Sequence, residues 1–529
     1  MTGAASSRSL RAALPGIAAA AVCAGFTLAC ALFVWQPGLA TFADDSVSYL
    51  VMAQVFSPWQ SASPAVAAAF PREAFYPPLY PLVLALAGAA HHTAWAHALT
   101  ALLLAAALPL AWLLGARWLG GRGAAAAAIA CIALLPSLWV NSKGILSETL
   151  FCLLLVSTFF CLEKEKNPGW KLGLLLAALA LTRTAALPMI AGFGLWAVTR
   201  RGTDLRARAL AAAPALAAFA AYGLWVLLRP SQTGDDYARI VLERGQGFFD
   251  GPGGFWAALA ASLARQANAI VEGWAGSLLV FWIEGRPLRF ALAGFVGVLA
   301  LAGLALRLAH GRADGWMSAA YLGTLLAWPF HEQMERFLFP LLPVLVLYAF
   351  LAAGEGLRAL QRPAALAHAL LAALLLTLAV PAMGFIYQRA QAPGHHATIT
   401  DWYRSPDLRR ARTRAQTHLD LLDDMQAIRS LTQPGDRVMW VSPSYIALLA
   451  DRQGVAAPAT HPGPEEYREA VKKSGADYVF LSRYHPRDTI RDTAWQAGLR
   501  ALAGDAKAVH TRALDGGSVV TSILLKVAK

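Results

Sequence analysis

The stretch AALPGIAAAAVCAGFTLACALFVWQPGLATFADDSVSYL, Ala12 to Leu50, carries no charge from Ala12 to Trp35 and then presents two adjacent acids, Asp44 and Asp45. As a helix, such a run of about 24 residues reaches about 36 Å, enough for a hydrocarbon layer of about 30 Å. It is long for the apolar part of a cleavable signal peptide, and ten further apolar runs follow it, so a retained first membrane helix is expected. The acid pair then emerges at the far surface. There it is either ordinary interfacial polarity or the working end of a site.

Composition supports the membrane reading. Of 529 residues, 57% are hydrophobic and 15% charged, with mean hydropathy +0.47. Soluble domains carry about 25% charged residues, and lipid must replace water to tolerate such a deficit. The net charge of +13 does not indicate a nucleic-acid partner, because the Arg residues come in small groups between apolar runs rather than on one soluble face. Cys23, Cys30, Cys131, Cys152 and Cys161 lie in apolar segments without CxxC spacing and read as small core hydrophobes.

Working outward, apolar runs suited to membrane helices lie near 12–34, 97–115, 123–140, 146–162, 170–182, 185–199, 209–228, 288–309, 315–330, 337–354 and 364–385, about eleven in all. Basic residues test the arrangement. With Arg8 and Arg11 cytoplasmic, alternate loops carry Arg117 and Arg122, Lys164 and Lys166, Arg200 to Arg208, Arg307 and Arg312, and Arg358 and Arg362. One orientation satisfies every loop. It assigns the loops 35–96 and 229–287, and everything after about 386, to the outer side.

The expected fold class is thus an α-helical polytopic membrane protein over 1–386, with a small outer-face α/β soluble domain over 387–529. In the latter, RVMWV and YVFL read as buried strands, PEEYREAVKKS as an amphipathic helix and GSVVTSILLKV as a third strand. No P-loop, GxGxxG or nucleophile elbow occurs, so a structural or acceptor-positioning lid is the expectation for this domain.

The same topology sets a group of polar residues at one level on the outer side: Asp44, Asp45 and Tyr49; Arg72 and Glu73; Lys143 and Glu148; Arg183; Arg229; and His331 to Phe337. Each has a plain alternative. An Arg can snorkel to the interface, and Glu148 can sit at a helix N-terminus for its dipole. Together their signs suit sugar transfer from a lipid-linked phosphate. A carboxylate takes the proton of an acceptor hydroxyl, and fixed cations hold the departing phosphate, a task for which Arg is well shaped.

Five motifs carry a family resemblance: DDSVSYLVMAQ, FYPPLYPLVLAL, SETLFCLLLV, LALTRTAALPMI and ERFLFPLLPVLVLY, in that order across residues 12–355. The chain resembles GT-C-fold membrane glycosyltransferases of the family-39 type, related to protein O-mannosyltransferases and the lipid A aminoarabinose transferase. The resemblance implies that Asp44 is the catalytic base, with Asp45 as its neighbour. Tyr49, Tyr76, Lys143, Glu148, Arg183 and Arg336 would then serve donor binding. In the aminoarabinose branch a Lys precedes the PPL motif. Here Tyr76 stands in that place, which weakens a lipid A assignment.

The implied reaction is inverting transfer from a polyprenyl-phosphate-linked sugar to a lipid, protein or polysaccharide acceptor, at the outer face of a bacterial inner membrane. No cofactor is obligatory on this reading, although the Asp44–Asp45 pair could hold Mg²⁺ or Mn²⁺. His331, His395 and His396 are not spaced as a zinc site. A transporter or flippase of lipid-linked sugars is the alternative, and against it the sequence has no internal repeat and no charge cluster in mid-membrane. A non-catalytic scaffold would leave the acid pair without a purpose.

Overall fold

The computed structural model describes residues 3–35, 38–39, 45–164, 169–200, 204–230, 254–279, 287–328, 333–392, 402–403, 407–458, 462–483, 491–514 and 519–528. The chain is a mostly helical, multi-pass membrane protein with a small C-terminal sheet domain. It divides into two compact units: Met1–Trp35, His97–Leu228 and Thr233–Ala392 in the first, and Gln36–Ala96, Arg229–Gln232 and Pro393–Lys529 in the second.

The first unit is helical among its described residues. Six helices are long and apolar enough to cross a membrane: Ala13–Val34, Thr93–Trp118, Leu205–Leu228, Pro287–Ala309, Met334–Ala359 and Ala364–Ala390. The pair Arg122–Ala133 and Pro136–Ser142, bent by 54°, is apolar enough to make a seventh as a broken span or to form a re-entrant loop. The expected eleven are not confirmed, because four of the expected runs fold as helices of 14 to 17 residues. One further run is broken at a proline, whose ring clashes with the carbonyl four residues back. Pro136 opens a new helix after the bend. Pro188 lies in the first turn of Ala186–Thr199, and the preceding helix stops at Thr182. The resulting 14-residue helices are about 21 Å long, short of the hydrocarbon thickness.

The segment Met334–Ala359 is the most enclosed, with 89% of its most apolar stretch buried, against 11% for Leu205–Leu228. Small residues let its neighbours come close. A Cβ on Gly303 would stand 2.1 Å from the Tyr348 carbonyl oxygen, so only glycine allows helices Pro287–Ala309 and Leu342–Ala359 to touch there. A buried ion network also ties this unit. Arg307 binds Asp314 through two bonds of 2.9 and 2.7 Å, pairs with Glu163, and lies 4.5 Å over the Trp118 ring, while the Tyr348 hydroxyl donates to Asp314 at 2.7 Å. Arg307 is thus half of a helix clasp and not a bare loop charge.

The second unit contains the expected sheet with two strands more than expected. The strands β1 (Arg437–Trp440), β2 (Gln453–Ala456), β3 (Tyr478–Ser482), β4 (Ala506–Leu514) and β5 (Val519–Val527) assemble in the order β2-β1-β3-β5-β4. The first three are mutually parallel, β5 is antiparallel to β3, and β4 is antiparallel to β5. Helices Pro464–Ser474 and Arg491–Ala501 pack Tyr467, Val471 and Trp495 onto Val479 and Leu481. Gly475 ends the first of these at φ +62°, the left-handed cap that glycine adopts without penalty.

Three short helices belong to this unit as well: Asp45–Phe56, Pro64–Glu73 and Leu79–Leu86. They come from the stretch 35–96, expected as an outer loop of the membrane part. Here that stretch folds together with residues 393–529.

Candidate active site

The sequence-expected residues fall into two clusters, one in each unit. In the second unit, Asp45 is the first residue of helix Asp45–Phe56, where a carboxylate meets the positive end of the helix dipole. Tyr76 donates its hydroxyl to Asp45 Oδ1 at 2.6 Å. Tyr49 lies one turn beyond Asp45, edge-on to the rings of Tyr76 and Tyr80 at 5.1 and 5.0 Å. Tyr76 lies in the turn after helix Pro64–Glu73, its N–H bonded to the Glu73 carbonyl at 3.2 Å, and Arg229 Nη1 binds the Phe75 carbonyl at 3.0 Å. Asp44, the first-ranked catalytic candidate, lies outside the described residues, as do His331, His395 and His396.

A second carboxylate sits under this helix. Glu73 is buried and accepts hydroxyl hydrogen bonds from Ser48 at one oxygen and from Ser444 at the other. Next to it, burial pushes the Arg72 guanidinium below its usual pKa, and the charge of Glu73 works in the opposite direction. Ser48 follows Asp45 by three residues, so both project from one face of the helix.

In the first unit, Glu148 opens helix Glu148–Lys164 and is almost fully buried. Two arginines from distant segments grip it. Arg183 Nη1 stands 2.7 Å from Glu148 Oε2, and Arg336 Nε binds Glu148 Oε1. The break before Pro188 positions Arg183, which also donates to the Ser147 hydroxyl at 3.0 Å. A short helix, Met334–Leu338, followed by a 3₁₀ turn at Pro340, positions Arg336. The triad carries two positive charges and one negative, and little of it reaches solvent: side-chain exposures are 12% for Arg183, 3% for Arg336 and 1% for Glu148.

Lys143 is placed differently. It is buried after helix Pro136–Ser142, with Nζ 4.4 Å over the Phe33 ring and 3.4 Å from the Phe33 carbonyl oxygen. It therefore braces the first membrane helix. Among the described residues, no group of three or more His, Cys, Asp or Glu side chains gathers as a metal site.

No family model and no curated protein matches the chain. Solved structures do. The lipid A aminoarabinose transferase ArnT from Cupriavidus metallidurans, bound to undecaprenyl phosphate, aligns over 96% of this chain and 97% of its own, with TM-score 0.51 and 11% identity. Its apo state gives the same values. The chain has the GT-C fold. The Archaeoglobus fulgidus oligosaccharyltransferase in its apo form also aligns, over 87% of this chain and 69% of its own, with TM-score 0.47 and 14% identity.

Within this GT-C chain, the Asp45–Tyr49–Tyr76 and Glu148–Arg183–Arg336 groupings join residues that the sequence separates by up to 188 positions. Sequence reading had marked Glu73 as polar at the outer side without giving it a role. Ser444 had not been singled out, because an SPSY turn has no signal beyond its turn chemistry. The spacing of Asp45, Ser48 and Tyr49 on one helix was the available clue to what surrounds the acid pair.

Proposed function

We propose that this chain is a glycosyltransferase that moves a sugar from a polyprenyl-phosphate-linked donor to an acceptor hydroxyl or phosphate at the outer face of a bacterial inner membrane. The reading is carried by a GT-C fold together with the adjacent acids Asp44 and Asp45 of the sequence, the second of which opens the short helix Asp45–Phe56. The ArnT structure with the same fold holds undecaprenyl phosphate, a lipid of the proposed leaving-group class.

In the proposed step, the Asp44 carboxylate takes the proton from the acceptor hydroxyl. The acceptor oxygen forms the new bond to the anomeric carbon as the bond from that carbon to the phosphate oxygen breaks, which inverts the anomeric centre. The polyprenyl phosphate leaves with the bonding pair. Its growing negative charge calls for fixed cations that need no reorganisation, and we assign this to Arg183 and Arg336. Glu148 orients both guanidiniums and leaves the triad one net positive charge. Asp45, held by the Tyr76 hydroxyl, fixes the first turn of the helix. Tyr49 and Tyr76 serve donor binding, and so does Lys143, which stands against Phe33 of the first membrane helix.

A product assay separates transfer from transport. In proteoliposomes loaded with undecaprenyl-phosphate-linked glucose, mannose or aminoarabinose, a transferase consumes the donor and liberates undecaprenyl phosphate. Intact donor appearing in the opposite leaflet without release of undecaprenyl phosphate would establish a flippase and end the transferase reading.

A further inference from the structure

Glu73 lies between two segments far apart in sequence. One of its oxygens accepts from Ser48 on the helix that starts at Asp45, and the other accepts from Ser444 in the turn that follows β1. All three side chains are buried in one compact unit. The turn has little freedom of its own. Ser444 is flanked by Pro443 and by Tyr445, whose ring packs 5.9 Å from that of the buried Trp440, and Trp440 in turn packs 5.2 Å from Phe480 at the sheet centre. A second tie runs alongside, from His418 of helix Leu408–Leu431 to the Leu39 carbonyl at 2.8 Å.

We propose that Glu73 is a positioning residue through which the α/β domain sets the orientation of helix Asp45–Phe56, and with it Asp45 at the N-terminal end. This rests on the transferase reading above. The α/β domain is then a working part of the site and not an appended lid. Several observations fit together. The carboxylate uses both oxygens, each on a different segment. Ser48 stands one turn from Asp45, about 4.5 Å along the axis. Tyr49 and Asp45 on the same face are held by Tyr76, so the helix is pinned at Asp45, Ser48 and Tyr49. Errors of about 1 Å in such placements cost turnover far more than binding.

The chemistry of the link makes it testable. Glutamine at position 73 keeps the size and can still join both hydroxyls, accepting one hydrogen bond and donating another. Alanine cannot. In the purified full-length protein, with undecaprenyl-phosphate-linked glucose, mannose or aminoarabinose as donor, E73A is expected to lower kcat about tenfold with donor KM within about twofold, whereas E73Q recovers most of the loss. S444A removes one hydroxyl and serves where E73A folds poorly. S48A and S444A should each slow turnover, and the double variant should be no worse than about twofold below the poorer single.

Equal loss in E73Q and E73A would mean that the charge itself acts, and would overturn a positioning role. So would fully multiplicative losses in the S48A/S444A pair, or an S444A kcat within twofold of wild type. If the wild-type chain turns over no donor, the transferase reading fails by itself. Amide hydrogen exchange across residues 45–56 then decides the coupling, since faster exchange in S444A supports it and unchanged exchange overturns it.

Discussion

At the residue scale, Glu148 decides the energetics of the membrane unit's polar cluster. Two guanidiniums share its carboxylate in a nearly solvent-free setting. Replacing the acid with a neutral amide leaves two buried like charges, so E148Q should lose about 3–5 kcal/mol of stability, visible as a lower thermal midpoint in detergent. A midpoint within 2 °C of wild type would contradict the buried triad. Arg336 tests the fork geometry. R336K keeps the charge but contacts phosphate as a single point, and we expect undecaprenyl phosphate affinity to fall about tenfold with little change in folding. Unchanged affinity would remove Arg336 from phosphate binding. The individual members of this triad were legible because charges are rare and costly in apolar surroundings. Their mutual contacts were not, since the pairing depends on helix packing that no local pattern encodes.

At the scale of elements, the segment Gly254–Leu279 shows what composition can hide. The sequence reading left 229–287 as an outer loop, yet 254–279 is one continuous helix of 26 residues. Its mixed composition, with Arg265, Gln266 and Asn268, hides this helix from a reading by apolar runs. The last turns of this helix press on the element bearing Arg336. A Cβ on Gly273 would fall 2.8 Å from the Glu335 backbone nitrogen and 3.0 Å from the Met334 carbonyl carbon. G273A should therefore cost about 1–3 kcal/mol and reduce turnover by displacing Arg336. G294A is the control, because open space surrounds that position. Equal behaviour of the two variants in melting and turnover would refute the clamp. In the sheet, β1, β3 and β5 were readable as apolar runs. β2 and β4 form the two edges and carry exposed polar positions such as Gln453 and Lys507, so they lack the buried-strand pattern. The count of eleven membrane helices is not confirmed, because four of the expected runs fold as helices of only 14 to 17 residues.

At the scale of the whole molecule, the second unit joins residues 36–96 to residues 393–529, a grouping invisible to a reading that proceeds span by span. Its integrity should depend on pH through His418. Burial holds this imidazole below its usual pKa of 6.5, although the bond to the Leu39 carbonyl partly offsets that shift. The unfolded chain therefore binds a proton more readily than the folded one. Stability is complete above about pH 6.5 and declines as pH falls from there through the lowered folded value. Thermal melts of wild type from pH 7.5 to 5.5 should show this decline, and H418Q should flatten it. An identical slope in H418Q would assign the dependence to other groups. The central claim is that Asp44 is the base that drives sugar transfer. Its most direct test is release of undecaprenyl phosphate from its sugar-linked form by purified wild-type and Asp44→Asn protein, prepared and melted side by side. The account predicts release by wild type and a loss of at least about 10³-fold in Asp44→Asn at an unchanged melting temperature. Release by Asp44→Asn at a rate near wild type would contradict it.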